Sequence, residues 1–224
     1  MTILEAKKLS VAISSNTIIS NLSFSLEEGD FLCVVGENGS GKTTLIKAII
    51  GEIPIKGEIK FESLKRSEIG YISQRSQVSD NFPASVFEIV CSGSLNKSSF
   101  GPSYSKEVKA KAKQTLAELK IQKLTNRNFS ELSGGQRQKV LLARALMATT
   151  KLIILDEPSN NLDKKSRAEL YDLLNQINQR GVSIIMVTHD LDHGNLIGNK
   201  ILSLSGKLPF FGTVEEYVER IHHA

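Results

Sequence analysis

The sequence predicts an α/β fold built around a mostly parallel β-sheet, and two observations support this class. Apolar strand-like runs alternate with helix-like segments along the chain, which favours parallel pairing with right-handed crossovers. Some of these runs are apolar at nearly every position, as Phe31 to Val35 is, which is typical of a strand buried on both faces. With 224 residues, 40% of them hydrophobic, the chain can bury such a core as one domain with an inserted lobe.

The first elements follow from local patterns. Leu22, Phe24 and Leu26 alternate with polar residues and predict a half-exposed strand, which a turn at 28–30 ends before the buried run. A helix closed by Gly51 and two short strands are predicted next. Their predicted bounds are Lys42 to Ile50, Gly57 to Phe61 and Ile69 to Ser73.

The strand signal fades from about Gln74 to Leu132, and this stretch predicts an inserted helical lobe. Ser85 is placed to cap a short helix that runs through Val90. A longer helix is predicted from one apolar face, whose residues are Val108, Ala112, Leu116 and Leu119. We expect the Ser- and Gly-rich stretch 96–105 to be a flexible loop.

The core pattern resumes after the lobe. Leu152 to Leu155 predicts a buried strand, a helix is expected from about Lys164 to Arg180, and Val182 to Val187 predicts a further strand. The tail predicts a small hairpin around residues 206–207. Residues 213–216 (Thr-Val-Glu-Glu) have the capping-box pattern of a last helix.

Composition restricts the function classes. The net charge is +4, from 28 basic and 24 acidic residues, and the lysines between 106 and 113 are expected to form a solvated helix face. Contact of that face with acidic lipid or nucleic acid is the lesser alternative. No aromatic residues interleave with these lysines as base stacking would require, so we expect no nucleic-acid partner.

The expected compartment follows from three features. Cys33 and Cys91 lie in apolar runs, which indicates buried thiols in a reducing compartment rather than a disulfide. The N-terminus lacks an export signal, and no apolar run approaches the roughly 20 residues needed to cross a bilayer. We therefore expect a cytoplasmic protein that reaches a membrane only through a partner.

The first chemical motif runs from Gly36 to Thr43, directly between a buried strand and a helix. A phosphate-binding loop needs this context, because glycines let successive backbone amides wrap the phosphates. Lys42 can reach the β- and γ-phosphate oxygens, and the Thr43 hydroxyl can bind Mg²⁺. A Gly-rich turn formed by chance is the alternative, which the Gly-Lys-Thr ending makes improbable.

The second motif is an apolar strand that ends in two acids, Asp156 and Glu157. Asp156 can hold Mg²⁺ directly or through water, and Glu157 can activate the attacking water as a general base. Two acids at a strand end are often only the start of a polar loop. The phosphate-binding loop upstream favours the functional interpretation.

Two more candidates follow predicted strands. The amide of Gln74 could contact Mg²⁺ or the attacking water and report the nucleotide state to the lobe, although a solvent-exposed glutamine is the alternative. His189 could contact the γ-phosphate. A lone histidine is more often structural, so the interpretation of His189 depends on the other motifs.

Residues 132–136 (Leu-Ser-Gly-Gly-Gln) form a second Gly-rich segment before a helix. A Ser hydroxyl and bare backbone amides at a helix start can approach a phosphate closely. Since Lys42, Asp156, Glu157 and His189 can complete one side of a site within one chain, we interpret this segment as the contribution of a second copy. The pattern then indicates an ATPase that works by clamping.

In their order along the chain these motifs resemble those of ATP-binding subunits of ABC transporters, over essentially the full length. The matching segments are 36–43 (Walker A), 74 (Q-loop), 132–136 (signature), 152–157 (Walker B), 160–163 (D-loop) and 189 (switch). The resemblance implies a P-loop NTPase (RecA-like) core with an N-terminal antiparallel β subdomain and an inserted α-helical subdomain. The implied single domain spans 1–224, with the core at about 1–73 and 133–224 and the helical subdomain at about 74–132.

The resemblance also implies ATP and Mg²⁺ as cofactors, ATP hydrolysis, and a role for each matching residue. The implied ATP-binding residues are Gly36, Glu37, Asn38, Gly39, Ser40, Gly41, Lys42, Thr43 and Thr44, with Ile13 near the adenine. Those implied in catalysis are Glu157, His189 and Gln74, and the implied Mg²⁺ ligands are Thr43, Gln74 and Asp156. In a head-to-tail homodimer, the residues that serve the other copy's nucleotide are Ser133, Gly134, Gly135, Gln136 and Asp163.

Residues 71–86 and 202–212 are similar to the subgroup that serves zinc and manganese importers. This similarity implies a separate membrane permease, indirectly an extracytoplasmic substrate-binding protein, and a peripheral place on the inner face of the cell membrane. Three alternatives stay open: another ABC importer or exporter, a soluble ABC ATPase of iron–sulfur assembly, DNA repair or translation, and a nucleotide-regulated binding module.

Two positions depart from the family pattern, and two histidine pairs invite a different interpretation. Ile13 stands where an aromatic residue usually stacks on adenine, and Asn161 stands where Ala or Gly is common. His189 and His193, near Asp190 and Asp192, have the spacing of a metal site. The histidine pair at 222–223 could also bind a metal. We favour the nucleotide role for His189.

Overall fold

The computed structural model of the chain describes residues 1–74, 83–94, 104–189, 197–205 and 209–222. Of the loop predicted at 96–105, residues 96–103 lie outside these ranges, as does the hairpin turn predicted at 206–207. In chain order the strands and α-helices described are β1 (Thr2–Ile13), β2 (Asn16–Glu27), β3 (Phe31–Val35), α1 (Lys42–Ile50), β4 (Lys56–Phe61), β5 (Gly70–Ile72), α2 (Val86–Ser92), α3 (Lys106–Glu118), α4 (Gly134–Ala148), β6 (Leu152–Asp156), α5 (Lys164–Gln179), β7 (Ser183–Val187), β8 (Lys200–Ser203), β9 (Phe210–Thr213) and α6 (Val214–His222).

A six-stranded sheet with the order β5-β6-β7-β3-β8-β9 forms the centre of the molecule. Its neighbouring strands are parallel, except that β9 pairs antiparallel with β8 in the predicted hairpin. Every residue of β3, β6 and β7 is buried. In β3, Phe31, Cys33 and Val35 face one hydrophobic core while Leu32 and Val34 face another. The predicted α/β class and the two-sided burial of these strands are confirmed.

The parallel arrangement brings four predicted motifs to one edge of this sheet. Strands β5, β6, β7 and β3 are consecutive neighbours and run in the same direction. Residues that follow the carboxyl ends of parallel strands lie along a common edge, where ligands of open α/β sheets bind. The phosphate-binding loop, Gln74, Glu157 and His189 each follow one of these strands within two residues.

The second sheet is antiparallel, with the order β2-β1-β4. It packs in one hydrophobic core with α1 and with the face of the central sheet that carries Leu32 and Val34, here called the inner face. The resemblance predicted this subdomain, but the residue pattern alone did not predict β1. The reason is a series of register shifts along β1, with Lys8 at φ 48°, which break the alternation of buried and exposed positions. Strand β2 also begins earlier than expected, at Asn16.

The helical lobe begins at a capping box. The Ser85 hydroxyl accepts from the Glu88 N–H at 3.3 Å, and the Glu88 carboxylate accepts from the Ser85 N–H at 2.8 Å. Helices α2 and α3 pack on α4, which also contacts β5 and α5. The lobe therefore shares one hydrophobic core with the outer face of the central sheet, and its predicted bounds, 74–132, stay a prediction.

Other expectations from the sequence are also met. Cys33 and Cys91 are buried free thiols, as predicted, and burial raises the pKa of Cys33 to about 12. The last helix begins with the predicted capping box, in which the Thr213 N–H donates to the Glu216 carboxylate at 2.7 Å. No helix in the described ranges is long and apolar enough to cross a membrane.

Candidate ATP-binding and hydrolysis site

The predicted phosphate-binding loop connects β3 to α1. Lys42 is only 6% exposed, and its Nζ donates to the carbonyl oxygens of Gly36 at 2.7 Å and Glu37 at 2.9 Å. Gly41 caps α1 at φ 100°, and a Cβ at this position would lie 2.9 Å from Ile18 Cγ2. Only glycine fits this turn, which directs the ammonium group into the curve of the loop.

Ser40 supplies an observation that tests whether the loop fits a phosphate. Its Oγ is buried and has no hydrogen-bond partner in the described part of the chain. A buried hydroxyl without a partner is uncommon in folded proteins, so the loop offers a donor for an external oxygen. Glu37, Asn38 and Gly39 are exposed and Thr44 is half-buried. These features fit the triphosphate of ATP.

Asp156 and Thr43 place two oxygen ligands side by side. Thr43 Oγ1 lies 3.4 Å from Asp156 Oδ1, and Asp156 is 1% exposed. Burial raises the pKa of the Asp156 carboxyl, while the Thr43 hydroxyl and the charge of Lys42 oppose that effect. Carboxylate and hydroxyl oxygens are ligands that Mg²⁺ accepts, and a bound cation would offset the burial of this charge. The donor set therefore fits Mg²⁺.

Glu157 is held at the carboxyl end of β6 by contacts on its backbone and side chain. Its N–H donates to the Val187 carbonyl at 3.1 Å, and its backbone adopts φ 52°, in the left-handed region. The Glu157 Oε2 accepts from Gln74 Nε2 at 2.7 Å and also from Asn160 Nδ2. The sequence placed Gln74 near Mg²⁺ or the water, and the structure places its amide N–H on the carboxylate of Glu157.

His189 lies exposed beyond the end of β7, at the same edge of the sheet. Its suggested companions Asp190, Asp192 and His193 lie outside the described residues. So does His223, and nothing is described of the His222 side chain.

The signature segment starts α4. The Ser133 hydroxyl accepts from the Gln136 N–H at 3.4 Å, and the Gln136 Oε1 accepts from the Ser133 N–H at 3.1 Å. A Cβ at Gly135 would lie 2.9 Å from Ser166 Oγ on α5. Contacts inside one chain thus already require Gly135 to be small, while Ser133 and Gly134 are exposed.

Asp163 caps α5 in the same neighbourhood. Its carboxylate accepts from the Ser166 N–H and hydroxyl, both at 2.9 Å, and these bonds lower the pKa of Asp163. Because Ser166 also lies against Gly135, the signature and the D-loop occupy one surface. Asn161 adopts φ 63°, which asparagine tolerates better than alanine does.

The profile of the family described as "ABC transporter" matches residues 19–160, a span that includes Walker A, the signature and Walker B. The chain belongs to the ABC transporter family. Its P-loop architecture and its identity as an ATP-binding subunit, both implied by the motifs, are confirmed.

Several relatives of this ABC subunit have descriptive names. The zinc uptake system ATP-binding protein ZurA of Listeria innocua is 33% identical over 96% of this chain and 87% of its own length. A probable metal transport system ATP-binding protein of Thermotoga maritima is 36% identical over 85% of this chain and 76% of its own. A solved structure described as a metal-chelate type ABC transporter, in an inward-facing conformation, is 30% identical, with a TM-score of 0.87 over 99% of this chain and 89% of that one.

For this ABC subunit the structure also shows contacts that sequence reasoning missed. Asn160 was assigned only to the D-loop, but its side chain contacts Glu157. Tyr171 on α5 donates from its hydroxyl to Ser159 Oγ at 3.1 Å, which anchors the D-loop. The spacing of Asn160, three residues after Glu157, was a signal that a tight turn could join them. Ile13 lies at the end of β1 and is 51% exposed, so its contact with adenine stays a prediction.

Proposed function

We propose that this ABC subunit hydrolyses ATP with Mg²⁺ to drive import of a metal cation through a separate membrane permease. The proposal takes the zinc and manganese class from the sequence and from relatives named for zinc uptake and metal transport. ATP binding belongs to the family itself. What we propose beyond the family assignment is the hydrolysis of ATP and the metal cation as the transported species.

One observation carries the proposed chemistry: a candidate base and a candidate cation ligand are consecutive residues at one strand end. Asp156 lies beside Thr43, whereas Glu157 is bonded to Gln74. A bound Mg²⁺ would neutralise phosphate charge. Glu157 would take a proton from the attacking water, while Lys42 stabilises charge on the β- and γ-phosphate oxygens and His189 contacts the γ-phosphate.

The second side of the site would come from another copy. The exposed Ser133 and Gly134, with Gly135 and Gln136 at the start of α4, would contact the γ-phosphate across a head-to-tail homodimer. Exposed amides at a helix N-terminus favour an anion, and α4 presents such a terminus. Asp163 would reach across the same interface, which its position beside the signature supports.

The helical subdomain, at about 74–132, would pass the closure of the dimer to a cytoplasmic helix of the permease. The subunit would then be cytoplasmic and peripheral on the inner face of the cell membrane, and would meet the extracytoplasmic substrate-binding protein only indirectly. Co-purification from membranes tests these partners. The recovered proteins should include a multi-span permease, and recovery with soluble proteins alone would contradict the proposal.

Glu157→Gln tests the assignment of the base. We expect ATP binding within about twofold of wild type and hydrolysis reduced by about 10²- to 10⁴-fold, because an amide cannot take the proton. Phosphate release measures turnover, and light scattering with ATP should show an accumulated dimer. Glu219→Gln on α6, an exposed glutamate, is the matched control and should hydrolyse normally. Normal turnover by Glu157→Gln would refute the assignment.

A further inference from the structure

The D-loop of this chain contains a side chain that holds the proposed base. We infer that Asn160 is a positioning residue for ATP hydrolysis, fixing the Glu157 carboxylate through its side-chain amide. The inference rests on the proposed role of Glu157 as the base. Asn160 has no assigned role so far, since the family resemblance placed only Asp163 of this loop in the site.

The contact is specific in its geometry. Asn160 Nδ2 donates to Glu157 Oε2, the oxygen that also accepts from Gln74 Nε2 at 2.7 Å. Among the described residues, both donors to this carboxylate therefore use the same oxygen. The two bonds hold Oε2 in place, which would leave Oε1 to face the attacking water.

The turn that presents Asn160 is itself well anchored. The Asn160 N–H donates to the Glu157 carbonyl at 3.2 Å, and the Leu162 N–H donates to the Ser159 carbonyl at 3.2 Å. Ser159 is 3% exposed and accepts from the Tyr171 hydroxyl. The amide of Asn160 is therefore delivered from a rigid support, as a group that orients another side chain must be.

The backbone of Glu157 explains why such support is needed. At φ 52° Glu157 occupies the left-handed region, which a residue with a Cβ adopts uncommonly. Such a conformation persists where surrounding contacts hold it, and the bonds from Asn160 and Gln74 to the Glu157 side chain are contacts of this kind. In the hydrolytic step the water oxygen bonds to the γ-phosphorus, the proton passes to Glu157, and the bond from the γ-phosphorus to the bridging oxygen of ADP breaks. A misplaced base slows this step without weakening ATP binding.

Three substitutions separate the donor from the shape of the turn. Asn160→Ala removes the donor, and Asn160→Ser keeps a shorter donor. Asn160→Asp keeps the shape but replaces the donor with a second negative charge beside Glu157. We expect kcat of MgATP hydrolysis to fall about 10- to 100-fold for Ala and Asp, with partial recovery for Ser. KM for ATP should stay within about twofold. Asn126→Asp in the lobe, where the asparagine is exposed, is the isosteric control and should match wild type.

A purely structural role in the turn instead predicts kcat near wild type for both Asn160→Asp and Asn160→Ser, because aspartate and serine both suit turns. Wild-type kcat for Asn160→Asp, or a loss confined to KM, would overturn the inference. In the double variant, Asn160→Ala should lower kcat almost no further than Glu157→Gln alone, and an additive loss would also contradict the inference.

The failure of the proposed function and the failure of the positioning role are distinguishable. If Glu157→Gln itself hydrolyses ATP normally, the proposed function fails; if only the Asn160 variants are normal, the positioning role alone fails. Should one variant unfold in a thermal scan, the others provide the same comparison.

Discussion

Asp156, a proposed Mg²⁺ ligand, illustrates how one buried carboxylate can lower the stability of a fold. Its carboxylate is 1% exposed, and burial raises its pKa above the ordinary value of 3.8. At pH values well below 3.8 the Asp156 carboxyl is protonated in both the folded and the unfolded chain, so it does not change the free energy of unfolding. As the pH rises above this value, the unfolded chain ionises more readily, so ionisation of Asp156 disfavours the folded state at neutral pH.

Asp156→Asn should therefore stabilise the nucleotide-free protein at pH 7 while abolishing Mg²⁺-dependent binding of ATP. The neutral amide avoids the cost of a buried charge and still accepts from the Thr43 hydroxyl. Each kcal/mol gained corresponds to a rise of about 2–4 °C in Tm for a chain of this size. Thermal unfolding from pH 4 to pH 8 measures the effect, and the difference from wild type should shrink toward pH 4.

Asp172→Asn on the exposed side of α5 is the control for charge removal. Its Tm should stay near wild type over the whole range. A lower Tm for Asp156→Asn at pH 7 would show that the carboxylate supports the fold, contrary to this prediction.

At the scale of elements, prediction from the sequence succeeded where burial leaves a simple pattern. Strand β3 is covered on both faces, so its run is apolar throughout. Helices α2 and α6 begin at capping boxes, whose chemistry is local. Strand β1 was not predicted from the residue pattern, because its register shifts remove the alternation of buried and exposed positions. Asp156 at the end of β6 and His189 two residues after β7 were predictable at one sheet edge, because parallel strands align their carboxyl ends. The spacing of Asn160 and Glu157 allowed a turn between them, but no local pattern indicates the left-handed backbone of Glu157 or the side-chain bond from Asn160.

Asp30 joins three elements that the sequence did not connect. It precedes β3, accepts from the Glu27 N–H of β2 at 2.7 Å and pairs with Lys200 of β8 at 2.7 Å. Asn199 donates to its second oxygen at 2.8 Å. Burial acts to raise the pKa of Asp30, but the bonds from Lys200, Glu27 and Asn199 outweigh it, and the pKa is lowered. This carboxylate thus ties the two sheets together.

Asp30→Asn should lower the free energy of unfolding by about 2 kcal/mol at pH 7, because Lys200 loses its partner in a mostly buried site. In the wild type, Asp30 contributes fully to the free energy of unfolding above pH 3.8, its ordinary pKa. This contribution is lost as the pH falls through the lowered pKa of Asp30 in the folded state. Urea unfolding at pH 7 and at pH 3 measures both. The difference in free energy of unfolding between wild type and Asp30→Asn should be smaller at pH 3 than at pH 7. An equal difference at both pH values would indicate a packing effect instead.

At the scale of the whole molecule, one chain contains the two motif groups that the proposed homodimer would bring together at a nucleotide. The Walker residues are linked through Lys42, Thr43 and Asp156 at the sheet edge. The signature glycines instead lie against Leu162 of the D-loop and Ser166 of α5. The division into halves stays a prediction from motif order. The contact of Gly135 with α5 was not predicted, because it depends on how α4 and α5 cross. ATP turnover should therefore require two copies.

Ser133→Arg should leave ATP binding by the monomer within about twofold of wild type and abolish ATP-dependent dimerisation and hydrolysis. The long cationic side chain would occupy the exposed start of α4, where the other copy's γ-phosphate is expected. Since Ser133 also caps α4, a loss of about 1 kcal/mol in stability is expected as well. Ser130→Arg, three residues upstream and exposed, is the control for an added arginine.

Mixing two inactive variants gives the sharpest test of sharing between copies. Lys42→Ala lacks a working phosphate-binding loop but keeps a normal signature, whereas Ser133→Arg has the reverse defects. A mixed dimer would contain one site with both parts intact, so the mixture should hydrolyse ATP at a rate that neither variant reaches alone. Phosphate release across mixing ratios should peak near equal amounts, since mixed dimers are then most abundant. A mixture as inactive as its components, despite mixed dimers seen by light scattering, would place Ser133 outside the partner's site.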